Sequence, residues 1–216
     1  MLEELRKKVS DYGKRMFNEG LTRGTGGYIS ARDKETGLIC STPSAIPYLE
    51  IEPEDVLVSD VDGNIIEGKG KISSEWYVMS EVYKNRPDIN ALVHAHAKYS
   101  TVLSGLRVDL PATCFSLPIA GGPNVRCTAF HSFYSQDLAD DIFDKMRDRK
   151  AVLMGNHGLL AGGDDLDEAY SVANTVEYCA EIHWMALCAG TPVPLTEEET
   201  EIQIADTKRY SNKPGF

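Results

Sequence analysis

The sequence is short of positive charge, of long apolar runs and of paired cysteine, and each shortage excludes a class of protein. Its 22 Lys and Arg face 33 Asp and Glu, for a formal charge of −11 over 216 residues. Nucleic acid and anionic membrane surfaces repel such a chain, so neither is expected as a partner. No apolar run approaches the roughly 20 residues that span a bilayer. The opening Met1-Leu2-Glu3-Glu4-Leu5-Arg6-Lys7 is charged from the start and lacks the apolar stretch of a signal peptide. The 5 cysteines (Cys40, Cys114, Cys127, Cys179 and Cys188) form no C-x-x-C pair. Zinc-ribbon and thioredoxin readings therefore have no support, and the thiols read as reduced groups of a cytoplasmic protein.

What is present is ordinary for a globular chain. Hydrophobic residues at 42% and charged residues at 25% suit one domain, 1–216, with a sizeable core. Leu2, Leu5, Val9, Tyr12 and Met16 recur at three- and four-residue steps and predict a first helix, ended by Gly20. Gly24-Thr25-Gly26-Gly27 predicts a turn. Segments 38–41 and 56–58 read as strands, and Asp62-Gly63-Asn64 as a hairpin turn into Ile65-Ile66. A helix should start near Ser73, with Ser73 and Ser74 as caps and Trp76, Met79 and Tyr83 buried, and Pro87 should close it. Strands at 91–94 and 151–154 bracket a Gly/Pro-rich loop and a helix from Gln136 to Arg149. A long helix from Leu166 to Ala189 follows, and Thr196 caps a last one before a polar tail at 211–216. Strands and helices do not strictly alternate, so a mixed α/β sheet flanked by helices fits best.

Three of the 5 histidines gather in two short segments. Val93-His94-Ala95-His96 sets two imidazoles at i and i+2 of an extended segment, where side chains point the same way. Alone, this spacing does not separate a metal site from a pair of surface histidines. His157 sits in Gly155-Asn156-His157-Gly158, just past a second apolar strand, where glycines allow close backbone approach. Three histidines at two strand ends would make an open zinc site. Glu75 is either an acid near a helix start, favoured by the dipole, or a ligand and proton acceptor. Ser73 and Ser74, the turn at 24–27 and Thr42-Pro43-Ser44 offer N–H groups and hydroxyls. They could bind an anion without a lysine cluster, although each also has a plain capping or turning role. His183 and Trp184 on the long helix read as packing. His131, in the loop 130–134, reads equally as functional or as surface.

Taken together, Gly20-Leu21-Thr22-Arg23-Gly24-Thr25-Gly26-Gly27, Ser41-Thr42-Pro43-Ser44, Gly68 with Ser73-Ser74-Glu75-Trp76, Arg86-Pro87 with the H-x-H segment, and Gly155-Asn156-His157-Gly158 resemble the class II aldolase and adducin-like family. The resemblance spans about residues 2–210. It implies an α/β fold around a central, largely antiparallel sheet, and a homotetramer with active sites between subunits. It implies Zn2+ at His94, His96 and His157, and Glu75 as the catalytic carboxylate. Phosphate falls to Gly27, Tyr28, Ser44, Ala45, Ser73 and Ser74, and Tyr210 is a second catalytic residue reaching a neighbour's site. Tyr28 replaces an asparagine, Ala45 a glycine, and Phe115 a tyrosine that donates a proton. The implied reaction cleaves a small-molecule ketose 1-phosphate (L-fuculose 1-phosphate or a related deoxy sugar phosphate) to dihydroxyacetone phosphate and a short aldehyde. A pentulose-phosphate 4-epimerase, a methylthioribulose-phosphate dehydratase and a non-catalytic adducin-like module remain open beside it.

Overall fold

The computed structural model describes residues 1–211, without the side chains of Lys208, Tyr210 and Ser211. The tail expected beyond Ser211 lies outside the described residues. Nine strands form a single sheet: β1 (Tyr28–Arg32), β2 (Ile39–Ser41), β3 (Leu57–Ser59), β4 (Ile65–Glu67), β5 (Ala91–Ala95), β6 (Leu110–Pro111), β7 (Asn124–Cys127), β8 (Ala151–Met154) and β9 (Gly158–Gly163). Their order across the sheet is β4-β3-β2-β1-β5-β9-β8-β7-β6. Every neighbouring pair runs antiparallel except β7 and β8. The expected mixed, largely antiparallel α/β sheet is what the chain builds.

Six helices cover the sheet: α1 (Glu3–Asn18), α2 (Trp76–Asn85), α3 (Lys98–Leu106), α4 (Gln136–Met146), α5 (Leu166–Ala189) and α6 (Glu197–Ser211). The period-two alternation of the strands divides the core into two layers. Val93 of β5, Leu159 of β9 and Ile29 of β1 face a layer with Val9 and Met16 of α1, Leu103 of α3 and Val172 and Val176 of α5. Leu92, Leu160 and Tyr28 face the opposite layer, with Val78 and Val82 of α2 and Leu138 and Ile142 of α4. His94 follows Leu92 by two residues, so its side chain is delivered to the α2 side.

Two helix starts match their capping residues. Asp165 accepts the Glu168 N–H ahead of α5 at 2.8 Å, and Ser135 accepts the Leu138 N–H ahead of α4 at 3.3 Å. The start of α2 differs from the sequence expectation. Ser73 and Ser74 are not its caps, because the helix begins at Trp76 with Glu75 at the cap position and no side-chain cap bond. A tight turn precedes it instead, in which Ser73 Oγ accepts the Glu75 N–H at 3.2 Å and Ser73 O accepts the Trp76 N–H at 3.1 Å. That turn leaves the Glu75 carboxylate free to face β5 rather than its own helix.

Candidate active site

Three imidazoles converge where β5 ends and the β8–β9 hairpin turns. The ring centroids of His94, His96 and His157 lie 4.9 to 5.0 Å apart, and one nitrogen from each falls within 4.8 Å of the others. His96 Nε2 and His157 Nε2 are 3.1 Å apart. A tetrahedral ion with Zn–N bonds of about 2.0–2.1 Å would separate its ligand nitrogens by roughly 3.3 Å, so the spacing fits. His94 Nδ1 lies 2.9 Å from the Leu159 carbonyl. The N–H there donates to that oxygen, which fixes the tautomer and leaves the Nε2 lone pair for a ligand. His94 Nε2 is buried and has no hydrogen-bond partner among the described residues. An orphaned imidazole nitrogen facing two others is what a metal would satisfy.

Glu75 completes the cluster. It is only 6% exposed. Its Oε2 lies 3.1 Å from His94 Nε2 and its Oε1 3.3 Å from His157 Nε2. The first distance reflects charge attraction rather than an aligned hydrogen bond, because both His94 Nε2 and Glu75 Oε1 remain unpaired. Burial works to raise the Glu75 pKa, but the histidines, led by His94, hold it below its ordinary value. Burial likewise opposes charge on His94, and the Glu75 carboxylate outweighs it and raises the His94 pKa. Burial, followed by the charges of His94 and His157, lowers His96 to about 4. His157 is lowered mainly by burial. His96 and His157 are thus neutral at physiological pH, the form a metal binds.

Glycines bring the backbones this close. A Cβ on Gly26 would sit 2.5 Å from His96 Nδ1, and one on Gly158 would sit 2.5 Å from the Ala95 carbonyl. Gly27 has φ +80°, and a Cβ there would come within 2.2 Å of the His94 carbonyl, so only glycine fits. Asn156, at φ 58°, turns the hairpin that carries His157.

The cluster opens into a cavity of about 250 Å³. The cavity is lined by the turn at 25–27, the loop at 42–44 and Ser73 and Ser74, together with Tyr28, Glu75, His96, Phe133 and His157. The Ser44 N–H donates to the Lys71 carbonyl at 2.8 Å, tying the two hydroxyl-bearing loops together. Ala45 holds φ 64°, so the backbone keeps a left-handed turn although the residue is alanine. Tyr28 is fully buried beside His94. Tyr210 belongs to α6, and its side chain lies outside the described residues. Phe115 is 65% exposed. Phe133 had no signal in the sequence beyond its place in the loop 130–134. A larger groove of about 540 Å³ lies between the starts of α1 and α5 and the end of β1. It contains none of the three clustered histidines, so the smaller cavity is the candidate site.

Residues 7–184 match the family model described as Class II Aldolase and Adducin N-terminal domain. The chain belongs to this family. A 5-deoxy-D-ribulose 1-phosphate aldolase of Bacillus thuringiensis is 43% identical over 201 residues, covering 93% of this chain and 94% of that protein. A 5-methylthioribulose-1-phosphate/5-deoxyribulose-1-phosphate aldolase of Rhodospirillum rubrum is 34% identical over 208 residues, covering 96% of this chain and 93% of that one. The solved structure of an L-fuculose 1-phosphate aldolase matches with a TM-score of 0.92 at 40% identity, covering 95% of this chain and 96% of that one. This class II aldolase is a lyase of a metal-dependent family, and its three-histidine group could hold the metal. Among the described residues, no helix is long and apolar enough to cross a membrane.

Proposed function

We propose that the chain is a zinc-dependent aldolase that cleaves a 5-deoxypentulose 1-phosphate, or L-fuculose 1-phosphate, into dihydroxyacetone phosphate and a short aldehyde. One observation carries the reading. A single cavity joins His96 and His157 of the three convergent imidazoles with a buried carboxylate and with segments rich in hydroxyls and backbone N–H groups. His94, His96 and His157 would hold the ion, since an all-imidazole set suits zinc. When bound, zinc supplies Lewis-acid polarisation of the ketose carbonyl.

The chain's own groups do the rest. Ser44, Ser73, Ser74 and the N–H groups around Gly27 and Ala45 take the phosphate, helped by the positive end of α2. When the bond between C3 and C4 breaks, the C4 hydroxyl gives up a proton and C3 gains one. Glu75, the one carboxylate lining the cavity among the described residues, carries that exchange. Tyr210 is assigned as a proton donor from a neighbouring subunit, on the family resemblance. Phe133 gives the aldehyde end an apolar wall, which favours a methyl group over a hydroxyl there. The names of the Bacillus and Rhodospirillum relatives point the same way.

The same proposal takes 1–216 as one domain of a cytoplasmic homotetramer. Exposed apolar side chains support the assembly: Val102 and Leu106 on α3, Phe115, and Tyr178, Trp184 and Met185 on α5. All five cysteines are free thiols, which supports the compartment.

The test is to incubate zinc-loaded protein separately with 5-deoxyribulose 1-phosphate, its 5-methylthio analogue and L-fuculose 1-phosphate. Release of dihydroxyacetone phosphate is followed through coupled NADH oxidation. The deoxypentulose should give the highest kcat/KM. No dihydroxyacetone phosphate from any of the three, with zinc in place, would sink the proposal.

A further inference from the structure

Tyr28 opens β1, and its cross-strand partner on β5 is the ligand-position residue His94. The two side chains share a face, with ring centroids 5.3 Å apart. Tyr28 is 1% exposed, and its hydroxyl has no hydrogen-bond partner among the described residues. The fold does not neglect its other buried phenols. Tyr83 pairs with Ser30 at 2.9 Å, Tyr48 donates to the Gly26 carbonyl at 3.0 Å, and Tyr170 donates to Glu19 at 2.9 Å. A buried hydroxyl left unpaired costs stability, whereas phenylalanine would fill the same apolar space beside Val78 and Val82 without that cost. Tyr28 also lines the cavity together with Glu75, whose own Oε1 is buried and unpaired. A phenol is protonated at neutral pH and can act as a donor.

We propose that Tyr28 is a substrate-contacting residue whose O–H donates to an oxygen of the three-carbon hydroxyketone half of the substrate, beside Glu75. This rests on the aldolase reading and adds a donor to it. The hydroxyketone half is the part that remains when the aldehyde leaves. A donor at that half affects the binding of dihydroxyacetone phosphate as well as of the full sugar.

The test compares wild type with Tyr28→Phe, both zinc-loaded. Calorimetry measures binding of dihydroxyacetone phosphate and, separately, of inorganic phosphate. The variant should keep its zinc and melt at the same temperature or higher. It should bind dihydroxyacetone phosphate about five- to tenfold more weakly, the effect of one neutral hydrogen bond. Its affinity for inorganic phosphate should not change. Equal affinity of both proteins for dihydroxyacetone phosphate would overturn the contact. Parallel weakening toward both ligands would make Tyr28 a phosphate ligand instead, and a melting point several degrees lower would mean that its hydroxyl is paired inside the protein. If wild type itself fails to bind dihydroxyacetone phosphate, the aldolase reading falls first and takes this contact with it.

Discussion

Replacing Glu75 with glutamine separates the two jobs that its position allows. The carboxylate lies 3.1 Å from His94 Nε2. At an effective dielectric near 20, a charge pair at that distance attracts by about 5 kcal/mol. Removing both ions from water costs several kcal/mol each, so the pair's net contribution to stability is small. Glu75→Gln does not strand a charge, because His94 can lose its proton as its burial favours. The melting temperature of the metal-free variant should therefore move little, by no more than the equivalent of about 1 kcal/mol. Catalysis should respond differently. A glutamine amide keeps the volume but cannot accept a proton, and losing a general base typically costs at least about 10²-fold, or roughly 2.7 kcal/mol of barrier. Zinc content, measured by mass spectrometry, should stay near one ion per chain because the three imidazoles remain. Turnover is read as dihydroxyacetone phosphate release. A rate within a few-fold of wild type, with zinc in place, would refute the proton-transfer role and leave Glu75 as a helix-start residue. A large fall in melting temperature would refute the electrostatic reasoning instead.

Four further outcomes are expected. His94→Ala, His96→Ala and His157→Ala should each abolish zinc retention and activity while far-UV circular dichroism stays native; full occupancy in any one removes that residue from the site. Gly26→Ala should push the His96 ring away from its present position, since the new Cβ would start 2.5 Å from Nδ1, and zinc affinity in a chelator competition should drop about tenfold or more. Ala45→Gly should raise the melting temperature, by about 1 kcal/mol of stability, because alanine is strained at φ 64°; an unchanged or lower value would count against that strain. The fourth outcome concerns pH. His96 and His157 bind protons less readily in the fold than in the unfolded chain, so the stability they affect is present above about pH 6.5 and declines as pH falls toward 4. His94, raised by Glu75, acts in the opposite sense, stabilising below about pH 6.5 and losing that contribution as pH rises. Denaturant titrations of metal-free protein should therefore show a steeper acid loss in Glu75→Gln than in wild type, and parallel profiles would reject the coupling.

The parts of the structure that could be read from the sequence are those where one local signal dominates. Helix α5 is expected from Leu166 to Ala189, with Gly190-Thr191-Pro192 as its stop, and it runs over those residues. The H-x-H segment and the histidine among glycines needed only strand periodicity to be brought into one cluster, and they do converge. Other elements gave weak signals. The central strand β1 holds Ser30 and Arg32 among its five residues, and it is recognisable only from its pairing with β2 and β5. Strand β9 (Gly158–Gly163) is half glycine, which reads as turn although every residue in it is buried. Helix α3 contains Ser100, Thr101, Ser104 and Gly105, poor helix formers whose cost is offset by packing and by Glu177. That carboxylate accepts the N–H groups of Tyr99 and Ser100 at 2.8 and 2.9 Å. The serines before α2 were misread for a different reason. The chain uses them to build a turn ahead of the helix, a choice that serves the cavity rather than the helix.

That choice bears on how a chain with a formal charge of −11 can receive an anion. Among the described residues, no lysine or arginine lines the cavity. On the proposed reading the favourable field would come instead from backbone and hydroxyl dipoles at three places: the turn at 24–27, the loop at 42–45 and the start of α2. Each dipole group is neutral, so none needs a counter-charge and none competes with a metal for Glu75. The one carboxylate in the cavity is held among imidazoles, where its charge is balanced locally rather than turned toward the anion wall. A lysine placed at Ser73 or Ser74 would bind phosphate more strongly, but it would also pair with Glu75 and pull it from His94. On the proposed reading, an anion site built from neutral groups would keep the proton-handling carboxylate and the phosphate cradle within one cavity of about 250 Å³ without their charges cancelling each other.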